Sequence, residues 1–123
     1  MAEAMIKQMT FNRVDVVSAG TDPVQVNPYA IQAMKEIGID ISKNKSKSVN
    51  EFYNQSFNFV ITVCDDAREK CPVFPGSYTK IHKSFKDPAK VTGKEEMKQD
   101  AFYKTRDQIR NWLVEFIEKY QLV

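Results

Sequence analysis

A chain of 123 residues is the length of one domain, and a single domain over residues 1–123 is expected, with roughly two-thirds of its unfolded surface buried on folding. With 42% hydrophobic and 28% charged residues the composition is that of a globular protein, and a net charge of +2 is too weak to argue for a nucleic-acid partner. No apolar run approaches the roughly 18 residues of a membrane helix, so no membrane partner is expected either.

The start, Met1 to Met9, lacks the basic stretch and long apolar core of a signal peptide, so the expected compartment is the cytoplasm. It carries helix formers, with Met1, Met5 and Met9 at helical spacing, and no capping residue precedes it. Val14-Asp-Val-Val-Ser18 is β-branched and predicts a short strand, ended by Ala19-Gly20. Asn27-Pro28 is a strong helix start, followed by a stripe of Ala30, Ile31, Met34 and Ile37 that Gly38 stops. Ile39-Asp-Ile41 predicts an extended connector and Lys43 to Lys47 a solvated loop. Ser48-Val-Asn-Glu51 fits a capping box opening a short helix.

Phe57 to Val63 is the strongest predicted strand, apolar enough for a parallel strand buried on both faces, and Cys64 follows at its carboxyl end. Asp65 to Lys70 has room for one or two helical turns before Cys71-Pro72, and Phe74-Pro-Gly76 predicts a turn. Lys80 to Phe85 predicts a polar edge strand, Asp87-Pro88-Ala89 a loop, and about Lys94 to Tyr120 a long amphipathic helix. That helix carries Phe102, Ile109, Trp112, Leu113, Phe116, Ile117 and Tyr120 at spacings of three and four. The order predicts an α/β layer fold with a parallel sheet, whose ligands bind beyond the carboxyl ends of the strands. Ser18, Cys64 and approximately Asp87 stand at such ends.

In the cytoplasm two cysteines are either inert core thiols or redox-active ones. Across a helical Cys-x6-Cys segment their Cα atoms would stand about 10 Å apart. A disulfide needs about 7 Å or less, so oxidation would require the segment to unwind. Spacing alone leaves both readings open. A zinc set of Cys64, Cys71, His82 and Asp87 matches no usual structural spacing, so no metal is expected. Asp87 before Pro88 reads either as a turn residue or as a general acid at a strand end, and the lone His82 reads as structural or surface.

Several segments together resemble the thioredoxin-coupled arsenate reductases. They are Val60-Ile-Thr-Val-Cys64 with Cys71-Pro72-Val-Phe-Pro75, Phe85-Lys-Asp87-Pro88-Ala89, Val17-Ser18-Ala19-Gly20, Asn27-Pro28, and Met34 to Ser42. The resemblance implies a three-layer, parallel sheet flanked by helices, as in the wider superfamily of low-molecular-weight protein tyrosine phosphatases. Ala89 stands where the phosphatases carry tyrosine, and they generally lack the cysteine pair; both points favour the reductases.

By this resemblance Cys64, Cys71 and Asp87 are the catalytic residues, and the substrate is arsenate or a phosphate-like oxyanion. A first cysteine, in a Cys-x5-Arg loop, attacks arsenate; Cys64 then attacks that cysteine, Cys71 attacks Cys64, and thioredoxin reduces the Cys64–Cys71 disulfide. Asp87 is the general acid, and no cofactor is implied. Met1-Ala2-Glu3 resembles the stretch after the loop's arginine, so the loop and the first central strand are expected to be missing and the chain inactive as it stands. Some of the family bind potassium; Glu3 and Ser18 match two ligands, but Lys47 stands where an acidic ligand would be, so no potassium is expected here. The alternatives are a phosphatase-like protein and a non-catalytic redox or binding module.

Overall fold

A computed structural model describes residues 1–20, 26–45, 47–63 and 73–122. The elements are helix α1 (Ala2–Met9), helix α2 (Pro28–Glu36), a 3-10 turn (Val49–Phe52), strand β1 (Phe59–Thr62), strand β2 (Thr79–His82), a second 3-10 turn (Pro88–Lys90) and helix α3 (Glu95–Lys119). They fall into two compact units interleaved along the chain. One holds Met1–Val17, Val26–Asn44 and Asp87–Val123; the other holds Ser18–Gln25 and Lys45–Lys86.

The first unit is helical. α3 packs on α1 and α2 and on the turn Pro88–Lys90. Its apolar stripe follows the 3.6-residue period, and Phe102, Ile109, Leu113, Phe116 and Ile117 are buried against Met5, Ile6, Ala30, Ala33, Met34 and Ile41 as the core. Burying one side chain of the size of Leu113 contributes about 1.5–3 kcal/mol. Tyr29 stacks on Phe102 with ring centroids 5.7 Å apart. Asn27 caps α2 as expected, its Oδ1 accepting the Tyr29 N–H at 2.8 Å. On α2 the buried stripe is Ala30, Ala33 and Met34, so Ala33 takes a core place that the sequence assigns to Ile31 and Ile37.

The helix ends share one hydrogen-bonding pattern. At α2 the Gly38 N–H donates to Lys35 O and the Ile39 N–H to Met34 O, with Gly38 at φ 82°. At α1 the Phe11 N–H donates to Gln8 O and the Asn12 N–H to Lys7 O. There the left-handed place usually given to glycine is held by Phe11, at φ 52°.

Arg106 is buried within this unit, 6% exposed. Its Nη1 donates to Ala33 O at 2.9 Å and to Glu36 Oε1 at 3.2 Å, and its Nε donates to Asp107 Oδ1 at 2.9 Å. The Tyr103 ring lies 5.1 Å from the guanidinium carbon. Hydrogen bonding to Asp107 and Glu36 pushes its pKa above the ordinary value, against the downward pull of burial.

In the second unit β1 and β2 form a two-stranded parallel sheet with Phe59 opposite Thr79 and Thr62 opposite His82. The Ser48–Glu51 capping box forms as expected, on a 3-10 turn. Its Ser48 makes a single parallel bridge to Gly20. The strand expected at Val14–Ser18 does not form. Extended backbone becomes a strand only beside a ladder partner, and among the described residues that stretch has none before the Gly20 bridge. Val17 is accordingly 43% exposed. For the same reason β1 is less covered than its composition predicts: β2 is its partner among the described residues, Phe59, Val60 and Ile61 are half-buried, and Thr62 alone is fully so.

Candidate functional site

The carboxyl ends of β1 and β2 are joined beyond the regular strands. The Lys83 N–H donates to Thr62 O at 2.9 Å and the Phe85 N–H to Val63 O at 3.0 Å, which carries the parallel register on to residue 85. At the last regular pair, Thr62 Oγ1 and His82 Nδ1 lie 2.7 Å apart. One hydrogen is shared between them in either neutral ring tautomer. Thr62 is 4% exposed, so this bond satisfies a polar group that would otherwise be costly to bury. Lys83 Nζ lies 6.0 Å from the centre of the Phe85 ring.

From Val73 the chain is described again, and Phe74 anchors it. Phe74, 6% exposed, meets Phe57 edge-on at 5.1 Å and Tyr78 at 6.1 Å. Its N–H donates to the Tyr78 hydroxyl at 3.3 Å. Gly76, at φ 82°, supplies the left-handed residue of the expected turn. Cys64, Cys71 and the helical turns expected between them lie outside the described residues. Both neighbours of that stretch are described, at Val63 and Val73.

Asp87 is exposed, and its Oδ1 accepts the Ala89 N–H at 2.9 Å, capping the turn Pro88–Lys90. The turn-residue reading of Asp87 is therefore met in full; a general acid can use the same fixed loop. Of the residues matched to a potassium site, Glu3 stands in the first turn of α1. Lys47 Nζ lies 5.9 Å over the Phe52 ring. Among the described residues no group of three or more His, Cys, Asp or Glu is placed to hold a metal ion. Sequence reasoning left His82 without a task. The signal was its register opposite Thr62, which appears only once the strands are paired.

Residues 1–121 match the model of the low molecular weight phosphotyrosine protein phosphatases. The chain belongs to that family. Within the low molecular weight phosphatase family, similar relatives carry the name arsenate reductase. The arsenate reductase of Bacillus subtilis is 42% identical over 118 residues, covering 96% of this chain and 85% of the relative. Arsenate reductase 1 of Staphylococcus epidermidis is 42% identical over 110 residues, covering 89% of this chain and 79% of the relative. An arsenate reductase solved in its oxidised state superposes with a TM-score of 0.76 at 25% identity, covering 96% of this chain and 86% of that one. One solved in a phosphate-binding state gives 0.68 at 26% identity, with the same coverages. The α/β class and parallel strand pairing expected from the sequence are those of this family.

Proposed function

We propose that this chain is the thiol-relay part of an arsenate reductase, a single domain that converts arsenate to arsenite at the expense of thioredoxin. The observation that carries the reading is the 42% identity to an arsenate reductase over 118 residues. It is supported by Cys64, Cys71-Pro72 and Asp87-Pro88-Ala89 standing in the order that such a relay needs.

The chemistry balances as follows. A first thiolate attacks As(V), and Asp87 gives a proton to the departing oxygen. Cys64, as thiolate, attacks the first sulfur; the S–S bond forms, the S–As bond breaks, and arsenic leaves with the electron pair as As(III). Cys71 then attacks Cys64, freeing the first thiol, and the dithiol of thioredoxin reduces the Cys64–Cys71 disulfide. Two thiols are oxidised for each arsenic reduced. The 123 residues hold two cysteines, so the first thiol is supplied from outside them and the chain alone does not turn over.

The test is arsenate-dependent NADPH oxidation with thioredoxin and its reductase. The chain is assayed alone and with the N-terminal strand and Cys-x5-Arg loop of the Bacillus subtilis relative fused before Met1. Turnover is expected only in the fusion and is lost in Cys64→Ser and in Cys71→Ser. Turnover that survives both substitutions refutes the relay. Aryl-phosphate hydrolysis that survives Cys71→Ser, without arsenate turnover, makes the protein a phosphatase.

A further inference from the structure

Residues 73–86 carry three lysines, Lys80, Lys83 and Lys86, and no acidic residue. In a chain whose charges otherwise nearly cancel, at a net +2, that is a local excess of one sign. All three are exposed, and they run from Lys80, inside β2, to just past its end. Six residues of chain span at most about 22 Å, so the three charges form one row. No carboxylate of the described residues pairs with any of them. Lys83 Nζ rests 6.0 Å from the centre of the Phe85 ring, which holds one charge of the row in place without neutralising it. The row has a defined place in the fold. The N–H groups of Lys83 and Phe85 donate to the carbonyls of Thr62 and Val63, so the row borders the carboxyl end of β1, the end at which ligands of parallel α/β folds bind.

We propose that Lys80, Lys83 and Lys86 form a docking surface for an acidic face of the protein dithiol that reduces this chain, and that they act by steering the encounter. The proposal rests on the relay reading, in which thioredoxin is oxidised to its disulfide as the Cys64–Cys71 disulfide is reduced to two thiols. Such a reductant meets its partner anew in every turnover, so the step needs a fast and transient encounter. Charges at the rim of an interface act on the association rate and its salt dependence more than on the strength of the final complex. Nucleic acid is the other polyanion that a lysine row can hold, but three charges in a chain of net charge +2 make a small footprint for one. Lysines at a sheet edge also keep copies of a protein from pairing. That role alone makes no distinction between a charged reductant and a neutral one.

The experiment oxidises residues 1–123 and follows reduction of the Cys64–Cys71 disulfide by Bacillus subtilis thioredoxin, with thioredoxin reductase and NADPH, and in parallel by dithiothreitol, an uncharged dithiol. At about 0.01 M ionic strength, where the screening length is about 30 Å, Lys80→Gln, Lys83→Gln and Lys86→Gln together are expected to lower the second-order rate constant with thioredoxin about tenfold. At about 1 M, where that length is about 3 Å, parent and variant are expected to agree within about twofold. Lys80→Arg, Lys83→Arg and Lys86→Arg together keep the parent's rate, and dithiothreitol reduces all three proteins alike. If the glutamine triple does not fold, Lys80→Gln with Lys86→Gln leaves the Lys83–Phe85 contact intact and decides, with an expected loss of about threefold. An unchanged thioredoxin rate at low salt overturns the docking surface and leaves the relay standing, and so does an equal loss with dithiothreitol. Loss of binding to a short DNA duplex, with the thioredoxin rate unchanged, overturns it in favour of nucleic acid. A parent chain whose two thiols never pair, or whose disulfide yields to dithiothreitol and not to thioredoxin, overturns the relay reading, and the docking surface with it.

Discussion

Arg106 sits on α3 but acts on α2, and Arg106→Met measures what that contact contributes. The last carbonyls of a helix have no partner within it. In α2, Met34 O and Lys35 O are met by the N–H groups of Ile39 and Gly38, while Ala33 O receives Arg106 Nη1 at 2.9 Å. Methionine keeps most of the apolar stem and removes all three hydrogen bonds. The carbonyl contact is a charge-assisted bond to a fully buried residue, worth about 1.5–3 kcal/mol, and its loss leaves a buried acceptor unpaired. The ion pairs add little, because the Glu36 and Asp107 side chains are 53% and 57% exposed and surface pairs are worth about 0–1 kcal/mol each. The sum is a destabilisation of about 1.5–5 kcal/mol. Urea unfolding followed by fluorescence of the single tryptophan, Trp112 on α3, reads it directly, with the slope unchanged. Glu36→Gln and Asp107→Asn are each expected to cost under about 1 kcal/mol. A loss below about 0.5 kcal/mol for Arg106→Met refutes the capping argument. A Glu36→Gln cost equal to that of Arg106→Met moves the stabilisation to the ion pair.

Asp87 makes a cap and, in the proposed relay, gives a proton, and Asp87→Asn separates the two. The amide oxygen still accepts the Ala89 N–H, so the melting temperature is expected to hold, while arsenate turnover in the loop-bearing fusion falls about 10²–10⁴-fold; full turnover in this variant removes Asp87 from the chemistry. Phe11→Gly relieves a left-handed residue that is 72% exposed and packs little, and is expected to stabilise the chain by about 1 kcal/mol, read as a rise of about 4 °C or more in thermal melting. A fall in melting temperature shows that the Phe11 ring is held by contacts stronger than the backbone strain.

What the sequence made legible was local. Asn27-Pro28, Ser48 with Glu51, and the periodic stripe of α3 each encode their element in a few neighbouring residues, and each forms where expected. What it hid was non-local. Arg106 reads as one more charge on a solvated helix face, and its buried place depends on the end of a helix 70 residues away. Val14–Ser18 carries the right residues for a strand, but a strand is a property of two segments, and the second is not encoded in the first. Ala33, fully buried, outranks Ile31 as a core residue, and it is Ala33 O that receives Arg106 from α3, a contact between helices that the α2 sequence alone does not encode. At the candidate site the motif around Asp87 was legible as a loop. The pairing of Thr62 with His82 was not, since twenty residues separate them and no local pattern links the one to the other.

The half-covered sheet has a consequence for handling the protein. Among the described residues Val14, Val16 and Val17 form a β-branched run without a ladder, and β1 offers a partly covered strand of similar character. Two copies carrying such segments can pair through their backbones, the first step of cross-β assembly. Asp15 lies in the middle of the valine run and would be buried without a partner in any such stack. A charge so placed is of the kind that disfavours a fibril, and Asp15→Val is expected to raise thioflavin fluorescence on incubation, with no rise refuting the idea.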